Sequence, residues 1–312
     1  MFLYSDDFLL PISFRQLFSL PLNVVHALQL GVTVFTTLRS DASLCWRRTH
    51  LKRLHQHAHD LLGGMPPFRE FAPTIDNAFD AHISPVCEGV VYSTRITLIP
   101  QDFNMGMMFI DTKKDPTRGS TTDVSRWGLL IELRDAHPLS AYPQTLEDLS
   151  RISIHLSRYQ TLTPAFKKGS QFDALYLRQR IAHLGEEVAW VNDAGDITEL
   201  THANLFVHHK ALGWMTPPNR QCLAGITRQQ VIKAARTADV SISQEPINAV
   251  MLNQLDFAFA TNSTQGWVRI DSFSREGECV ELTPQSRTLD EATTLYSAWR
   301  NMVSTDNTSC YH

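Results

Sequence analysis

No run of apolar residues in this chain approaches the ~20 that a helix needs to cross a bilayer. Nothing near its start pairs a basic stretch with an apolar core as a secretory leader does; Asp6, Asp7 and Pro11 stand there instead. The expectation is a cytoplasmic protein with no membrane segment. Cysteine is scarce. Cys45, Cys87, Cys222, Cys279 and Cys310 are scattered and odd in number, which argues against a disulfide framework or a zinc site and for reduced thiols. Positive charge is not in excess. The 28 Lys and Arg residues are outweighed by 32 Asp and Glu, a net charge of −4, so no nucleic-acid partner is expected, and the cluster from Arg47 to Arg53 is short and local. Internal repeats and low-complexity tracts are missing too. What is present is enough chain, 312 residues with 43% hydrophobic content, to build two domains that each have a core.

The first half reads as a small mixed unit. Residues 1–30 are apolar but irregular, and Phe14 to Leu30 fits a short strand and turn or a helix equally well. Gly31 to Ser40 is rich in β-branched residues and reads as a strand. A turn at Ser40 to Ser43 leads to an expected second strand, Leu44 to Arg48, and Thr49 then caps a helix with Leu51, Leu54, His55, Ala58, Leu61 and Leu62 on one face. Gly63 and Gly64 end it. A second helix is expected from Thr74 to His82, capped by Thr74. Val90 to Pro100 and Trp127 to Leu133 alternate as strands, with an extended loop over about residues 101–125. Arg134 to Pro143 has the composition of a linker, which divides the chain into domains 1–137 and 138–312.

The second half opens ambiguously at Leu146 to His155 and passes through a loop at Ser157 to Pro164. It then reads as helix from Phe172 to Leu184, closed by Gly185. Residues 188–200 form a predicted β-hairpin around Asn192-Asp193-Ala194-Gly195. Strands are expected at Asn204 to His208, Gly213 to Thr216, Val240 to Glu245 and Asp256 to Asn262, with helices at Arg228 to Ala238 and Ile247 to Leu252. From Val303 on the chain looks frayed.

Four pieces carry chemistry. Glu199 is the only acid of the stretch Thr198 to Phe206, and alone it reads as a solvated strand-end carboxylate. Upstream lies Ala165-Phe166-Lys167-Lys168-Gly169. Downstream, Leu223-Ala224-Gly225-Ile226-Thr227 turns into a helix whose first N–H groups suit a phosphate, and Thr261-Asn262-Ser263 ends a buried strand. A lysine, a carboxylate, a glycine turn entering a helix and a hydroxyl-rich strand end are the parts that a pyridoxal-phosphate enzyme needs. In this order, from about Gly31 to Ile270, they resemble the class IV pyridoxal-phosphate enzymes. That family contains branched-chain and D-amino-acid aminotransferases and aminodeoxychorismate lyase.

The resemblance implies fold type IV, a small N-terminal α/β domain followed by a larger, β-barrel-like C-terminal domain with helices. It also implies a homodimer acting on a small molecule. Lys167 becomes the covalent attachment point for pyridoxal 5'-phosphate, favoured over Lys168 by its interval to Glu199 and by Arg178, where the lyase-like pattern carries arginine. Arg53, placed by the H-x-x-R pair His50 and Arg53, binds the phosphate. Leu223, Gly225, Ile226, Thr227, Thr261 and Asn262 complete the cofactor set, Glu199 pairs with the pyridine nitrogen, and Thr36 and Thr37 face substrate. No metal is implied. Val32 and Thr33 replace the family's acidic residue and glycine, and Ile99-Pro100 stands where many members carry Arg-Gly. Phe172 in place of tyrosine, Thr261-Asn262-Ser263 and Phe35-Thr36-Thr37 look more like aminodeoxychorismate lyase than a branched-chain enzyme. The implied reaction is conversion of 4-amino-4-deoxychorismate to 4-aminobenzoate and pyruvate, in folate biosynthesis. A class IV aminotransferase and a non-catalytic homologue are the alternatives.

Overall fold

The computed structural model describes residues 2–5, 8–11, 33–40, 44–62, 65, 67–80, 91–100, 127–135, 142–158, 167, 186–275 and 277–305. The chain divides into two compact units, Met1–Leu139 with Lys167–Gln171, and Ser140–Phe166 with Phe172–His312. Among the described residues no helix is long and apolar enough to cross a membrane.

The first unit is one antiparallel sheet with helices on it. Its strands are β1 (Phe2–Ser5), β2 (Phe8–Pro11), β3 (Val34–Arg39), β4 (Tyr92–Pro100) and β5 (Trp127–Asp135), in the spatial order β2-β1-β5-β4-β3. The first residues supply an edge hairpin, with Phe2 opposite Pro11 and β1 pairing β5, while Phe14 to Leu30, left open between strand and helix, lies outside the described residues. The expected strand at Leu44 to Arg48 is corrected, because helix α1 runs from Leu44 to Leu62. The helical phase of the buried set starts earlier than Leu51. Trp46, Arg47, His50, Leu51, Leu54, His57 and Ala58 are all buried and recur at three- and four-residue steps. Arg47 is fixed there by Asp76, Nε to Oδ1 at 3.0 Å, and the partner of β3 is the distant β4 rather than a local hairpin arm. The second helix, α2, is Phe68–Ala78, with Pro67 at its N-cap. Thr74 sits inside it and donates back to the Glu70 carbonyl. The apolar phase of Phe68, Phe71, Ile75 and Phe79 begins the helix early, and Pro73 costs it one backbone bond without ending it. Leu51, Leu54, Ala58, Phe71 and Ile75 pack on Val34, Leu38, Ile96, Leu98 and Ile131 to form the core.

The second unit is built on a larger curled sheet. Its strands are β6 (Arg151–Arg158), β7 (Glu186–Val191), β8 (Asp196–Leu200), β9 (Asn204–His209), β10 (Gly213–Thr216), β11 (Ile242–Gln244), β12 (Ile247–Asn248), β13 (Leu255–Asn262), β14 (Gly266–Arg275) and β15 (Glu278–Glu281). They lie in the order β11-β10-β9-β13-β14-β6-β7-β8-β12, with β15 on β14. Helices α3 (Ile226–Thr237) and α4 (Ser286–Thr305) complete it, and Ala249–Gln254 is a 3-10 turn where a short helix was expected. Seven of the eight residues of β13 are buried because both its faces are covered. Leu205, Val207, Ala258, Ala260 and Ile270 fill the aliphatic core on one side. On the other, Phe206, Phe259 and Trp267 stack, Phe259 and Trp267 at 3.7 Å between ring centroids, under Tyr296 and Trp299 of α4. A strand covered on both faces reads as an unbroken apolar run, here Phe257 to Ala260, with the buried polar residues Asp256 and Thr261 at its ends. Val303, expected to fray, is buried in α4. The 101–125 loop, the 172–184 helix with Arg178, Lys168 and Val32 all lie outside the described residues.

Candidate active site

In the first unit the chemistry gathers on the inner face of α1. His50, Arg53 and His57 follow one another at helical spacing, and Thr36 of β3 meets the first two. Arg53 Nη2 donates to Thr36 Oγ1 at 3.0 Å, and the same hydroxyl lies 2.9 Å from His50 Nδ1. An arginine only donates and a hydroxyl carries one proton. With Arg53 donating to it, Thr36 in turn donates its hydroxyl hydrogen bond to an unprotonated Nδ1. Burial, and behind it the charges of Arg53 and Lys167, holds the His50 pKa well below its usual value, which agrees with that direction. Burial also brings Arg53 down to about 10, leaving it cationic at neutral pH, and its buried Nε has no hydrogen-bond partner in the described structure.

Lys167 joins this cluster through its backbone. Its N–H donates to His57 Nδ1 at 3.1 Å, and its carbonyl accepts from the Phe35 N–H at 3.1 Å. The ammonium nitrogen lies 5.1 Å from the centroid of the Phe35 ring, which also carries Arg95 at 3.7 Å. Thr37, opposite Arg95 in the register, falls on the face of β3 that bears Phe35, away from Thr36.

In the second unit the predicted β7–β8 hairpin is present, its turn closed by the Asn192 side chain accepting from the Ala194 and Asp196 N–H groups and by Gly195 at φ +83°. Glu199, half-buried on β8, accepts the Leu223 N–H on Oε2 at 3.0 Å. The other polar group of Leu223, its carbonyl, accepts from Asn204 Nδ2 at 2.7 Å. Two side chains therefore fix the turn that launches α3. Gly225 stands at the N-cap with φ −63° and ψ 140° and gives no side-chain cap, so the chain's own capping residue does not close the first-turn N–H groups. Its backbone conformation suits any residue; what demands glycine is space. A Cβ at Gly225 would lie 1.9 Å from Asn204 Oδ1.

Gly225→Ala should therefore cost roughly 1–3 kcal/mol, since Asn204 cannot move aside without releasing the Leu223 carbonyl. Thermal unfolding of Gly225→Ala, Asn204→Ala and the double variant checks this. The double variant should be more stable than the two single losses summed, and strict additivity would show that the contact does not matter.

Ile226 and Thr227 form the buried first turn of α3, and Thr227 Oγ1 donates to Ser263 Oγ at 3.3 Å. Thr261, next along β13, has a buried hydroxyl without a partner. The Asn262 side chain is spent on its own turn, accepting from the Thr264 and Gln265 N–H groups. Arg228 is fully buried and binds Thr216, the Pro217 carbonyl, Asn219 and Gln244. Burial lowers its pKa, with Glu199 opposing. Cys222, one residue before the turn, is pushed up to about 12 by burial and stays a thiol.

A family model for class IV amino-transferases matches residues 33–273, more than half of the chain. The chain belongs to the class IV aminotransferase family. This is a family of enzymes that use pyridoxal phosphate. Solved structures of the same fold include a branched-chain aminotransferase from Thermoproteus uzoniensis with norvaline, 17% identical at a TM-score of 0.70, covering 100% of this chain and 97% of its own. A hypothetical aminotransferase from Mycobacterium tuberculosis in its pyridoxal-phosphate-bound form is 17% identical at 0.66, covering 95% and 98%. A candidate 4-amino-4-deoxychorismate lyase from Legionella pneumophila is 17% identical at 0.62, covering 87% and 93%. No curated protein matches the chain.

Each unit carries donors that suit the cofactor. In the second, a helix start without a side-chain cap and an orphaned buried hydroxyl at Thr261, and in the first, an orphaned guanidinium N–H at Arg53, are groups of the kind that receive phosphate oxygens. Glu199 is a half-buried carboxylate of the second unit, a group of the kind that keeps a proton on a pyridine nitrogen. Reading the sequence alone missed Asn204 and His57, whose partners are the backbones of Leu223 and Lys167.

Proposed function

We propose that this protein is a pyridoxal-phosphate-dependent lyase that converts 4-amino-4-deoxychorismate to 4-aminobenzoate and pyruvate, as a cytoplasmic homodimer in folate biosynthesis. The observation that carries the lyase reading is the end of β13. Thr261-Asn262-Ser263 presents an unpartnered buried hydroxyl beside a serine bonded to Thr227, in place of the Gly-Thr pair typical of branched-chain enzymes. The resemblance of Phe35-Thr36-Thr37 and the fold shared with the Legionella protein support it.

In this reading Lys167 Nζ is the attachment atom for the cofactor aldehyde. Arg53, the N–H groups of Ile226 and Thr227, and the hydroxyls of Thr227 and Thr261 hold the phosphate, while the carboxylate of Glu199 keeps a proton on the ring nitrogen. Leu223 and Gly225 shape the turn, and Asn262 fixes the strand end. Thr36, whose hydroxyl serves Arg53 and His50, holds the phosphate ligand in place instead of touching substrate. Bound pyridoxal phosphate supplies an electron sink for the carbon that bears the substrate's amino group. Lys167 Nζ takes the proton from that carbon. The ether bond to the neighbouring ring carbon then breaks, the three-carbon fragment leaves as enolpyruvate and takes up a proton, the equivalent of the one removed, to become pyruvate, and the ring becomes aromatic, which makes the reaction run forward.

The test supplies aminodeoxychorismate generated in situ and, separately, D-alanine, L-leucine and L-glutamate with a keto acid. Pyruvate and 4-aminobenzoate should appear in equal amounts, and the amino acids should give little keto acid. Fast transamination of any of them without 4-aminobenzoate would make the protein an aminotransferase. Slow transamination beside strong 4-aminobenzoate release leaves the lyase assignment standing, because both reactions begin with the same proton removal.

A further inference from the structure

Three histidines, His55, His57 and His59, stand at every second position near the C-terminal end of α1. A two-residue step turns a helix by about 200°, so His57 points away from His55 and His59, which lie four residues apart on one face. His59 is exposed, His55 is half-buried, and only His57 is buried. Its Nδ1 is turned to the Lys167 N–H, while the Phe35 N–H holds the carbonyl of the same residue. With both polar backbone groups bound, one by a helix side chain and one by a strand, the main chain of Lys167 has little freedom and the direction of its Cα–Cβ bond is set.

An imidazole nitrogen accepts an N–H only when it carries no proton of its own. His57 meets that condition. Burial, then Arg53 and Lys167, lower its pKa to about 4 against the opposing pull of Asp60, so at neutral pH it is an uncharged acceptor and adds no second cation beside Arg53.

We propose that His57 is the positioning residue of Lys167, fixing the lysine main chain through Nδ1 so that Nζ is held ready for the cofactor aldehyde and for the substrate proton. The proposal rests on Lys167 being the reactive amine.

Three substitutions separate positioning from mere filling of space. Asparagine places an amide oxygen at the branch where Nδ1 stands. Leucine places a methyl of similar size at the same branch, and glutamine moves the amide oxygen one bond further out. In protein freed of cofactor, amide hydrogen exchange of the peptide containing Lys167 should quicken about fivefold in His57→Leu and in His57→Gln, and stay at the wild-type rate in His57→Asn. After pyridoxal phosphate is added, the rate at which borohydride fixes it to Lys167 should fall by about the same factor in the first two and be kept in His57→Asn.

Leucine and asparagine variants that behave alike would overturn the proposal, whether both match wild type or both fall short. Should His57→Leu not fold, the comparison of Asn with Gln decides. If wild-type protein is labelled at Lys168, or not at all, the reading of Lys167 as the reactive amine fails. The exchange measurement on cofactor-free protein then still reports on the bond between His57 and the Lys167 amide.

Discussion

Lys167→Ala is expected to abolish covalent retention of pyridoxal phosphate and to lower turnover by roughly 10²- to 10⁴-fold or more, the range lost when a positioned proton-transfer group is removed. The backbone bonds of Lys167 to His57 and Phe35 need only its main chain, so the alanine variant keeps them and should unfold at the wild-type temperature. The loss then reads as chemistry rather than as misfolding. Borohydride reduction of wild-type protein with pyridoxal phosphate should fix the cofactor to one peptide, with the label on Lys167, and Lys168→Ala should retain both label and activity. A label on Lys168 would place the attachment point one residue on. Absence of any label, with the protein folded, would leave a class IV fold without its covalent chemistry.

How much of this was open to the sequence depended on the range of the interaction concerned. The β7–β8 hairpin is a local object. Its turn bonds run from Asn192 to residues two and four positions on, and apolar alternation sets the register on either side, so Glu199 could be put at a strand end from the letters alone. The start of α3 was equally plain, because a glycine followed by a helical phase needs no distant information. The start of α1 was not. Leu44 to Arg48 looks extended until Arg47 is seen held by Asp76 and Asp80, partners more than a helix length away in the chain. Gly266–Arg275, Glu278–Glu281 and Ser286–Thr305 were not read as elements. For α4 the signal was there, since Thr288, Ala292, Leu295, Trp299 and Val303 recur at three- and four-residue steps and are buried, whereas β14 alternates only in part.

The same distinction divides the candidate site. Residues that act with their own chemistry, a lysine, an arginine and a carboxylate, announced themselves by type and order. Residues that act by holding another residue's backbone did not. Asn204 reaches the Leu223 carbonyl across 19 residues, and His57 reaches the Lys167 N–H across 110. An asparagine at the head of a strand and one histidine among three on a helix carry no mark of such a task. The reason for glycine at 225, the Asn204 side chain in the space of its missing Cβ, shows only in the structure, because glycine is an ordinary residue at a helix N-cap.

Glu199→Gln should lower turnover by roughly 10²-fold while leaving fold and cofactor retention intact, the range expected when an opposite charge beside an ionisable nitrogen is neutralised. The substitution isolates charge from geometry. Glu199 Oε2 accepts the Leu223 N–H, and a glutamine oxygen can accept it as well, so the turn into α3 and the phosphate donors behind it stay in place. What changes is the proton on the cofactor ring. A carboxylate favours the protonated nitrogen, whereas the amide NH₂ donates to an unprotonated one and stabilises the neutral ring, a weaker electron sink. The absorption of bound cofactor should therefore shift, and Lys167 should still be fixed by borohydride at the wild-type stoichiometry. Glu199→Ala should do more harm, because it also leaves the Leu223 N–H without its acceptor. Cofactor affinity should then fall along with turnover, and the difference between the two variants measures what Glu199 contributes to the turn. If Glu199→Gln turns over as wild type does, the ring nitrogen has another partner, and the bond to Leu223 is the whole of what Glu199 does.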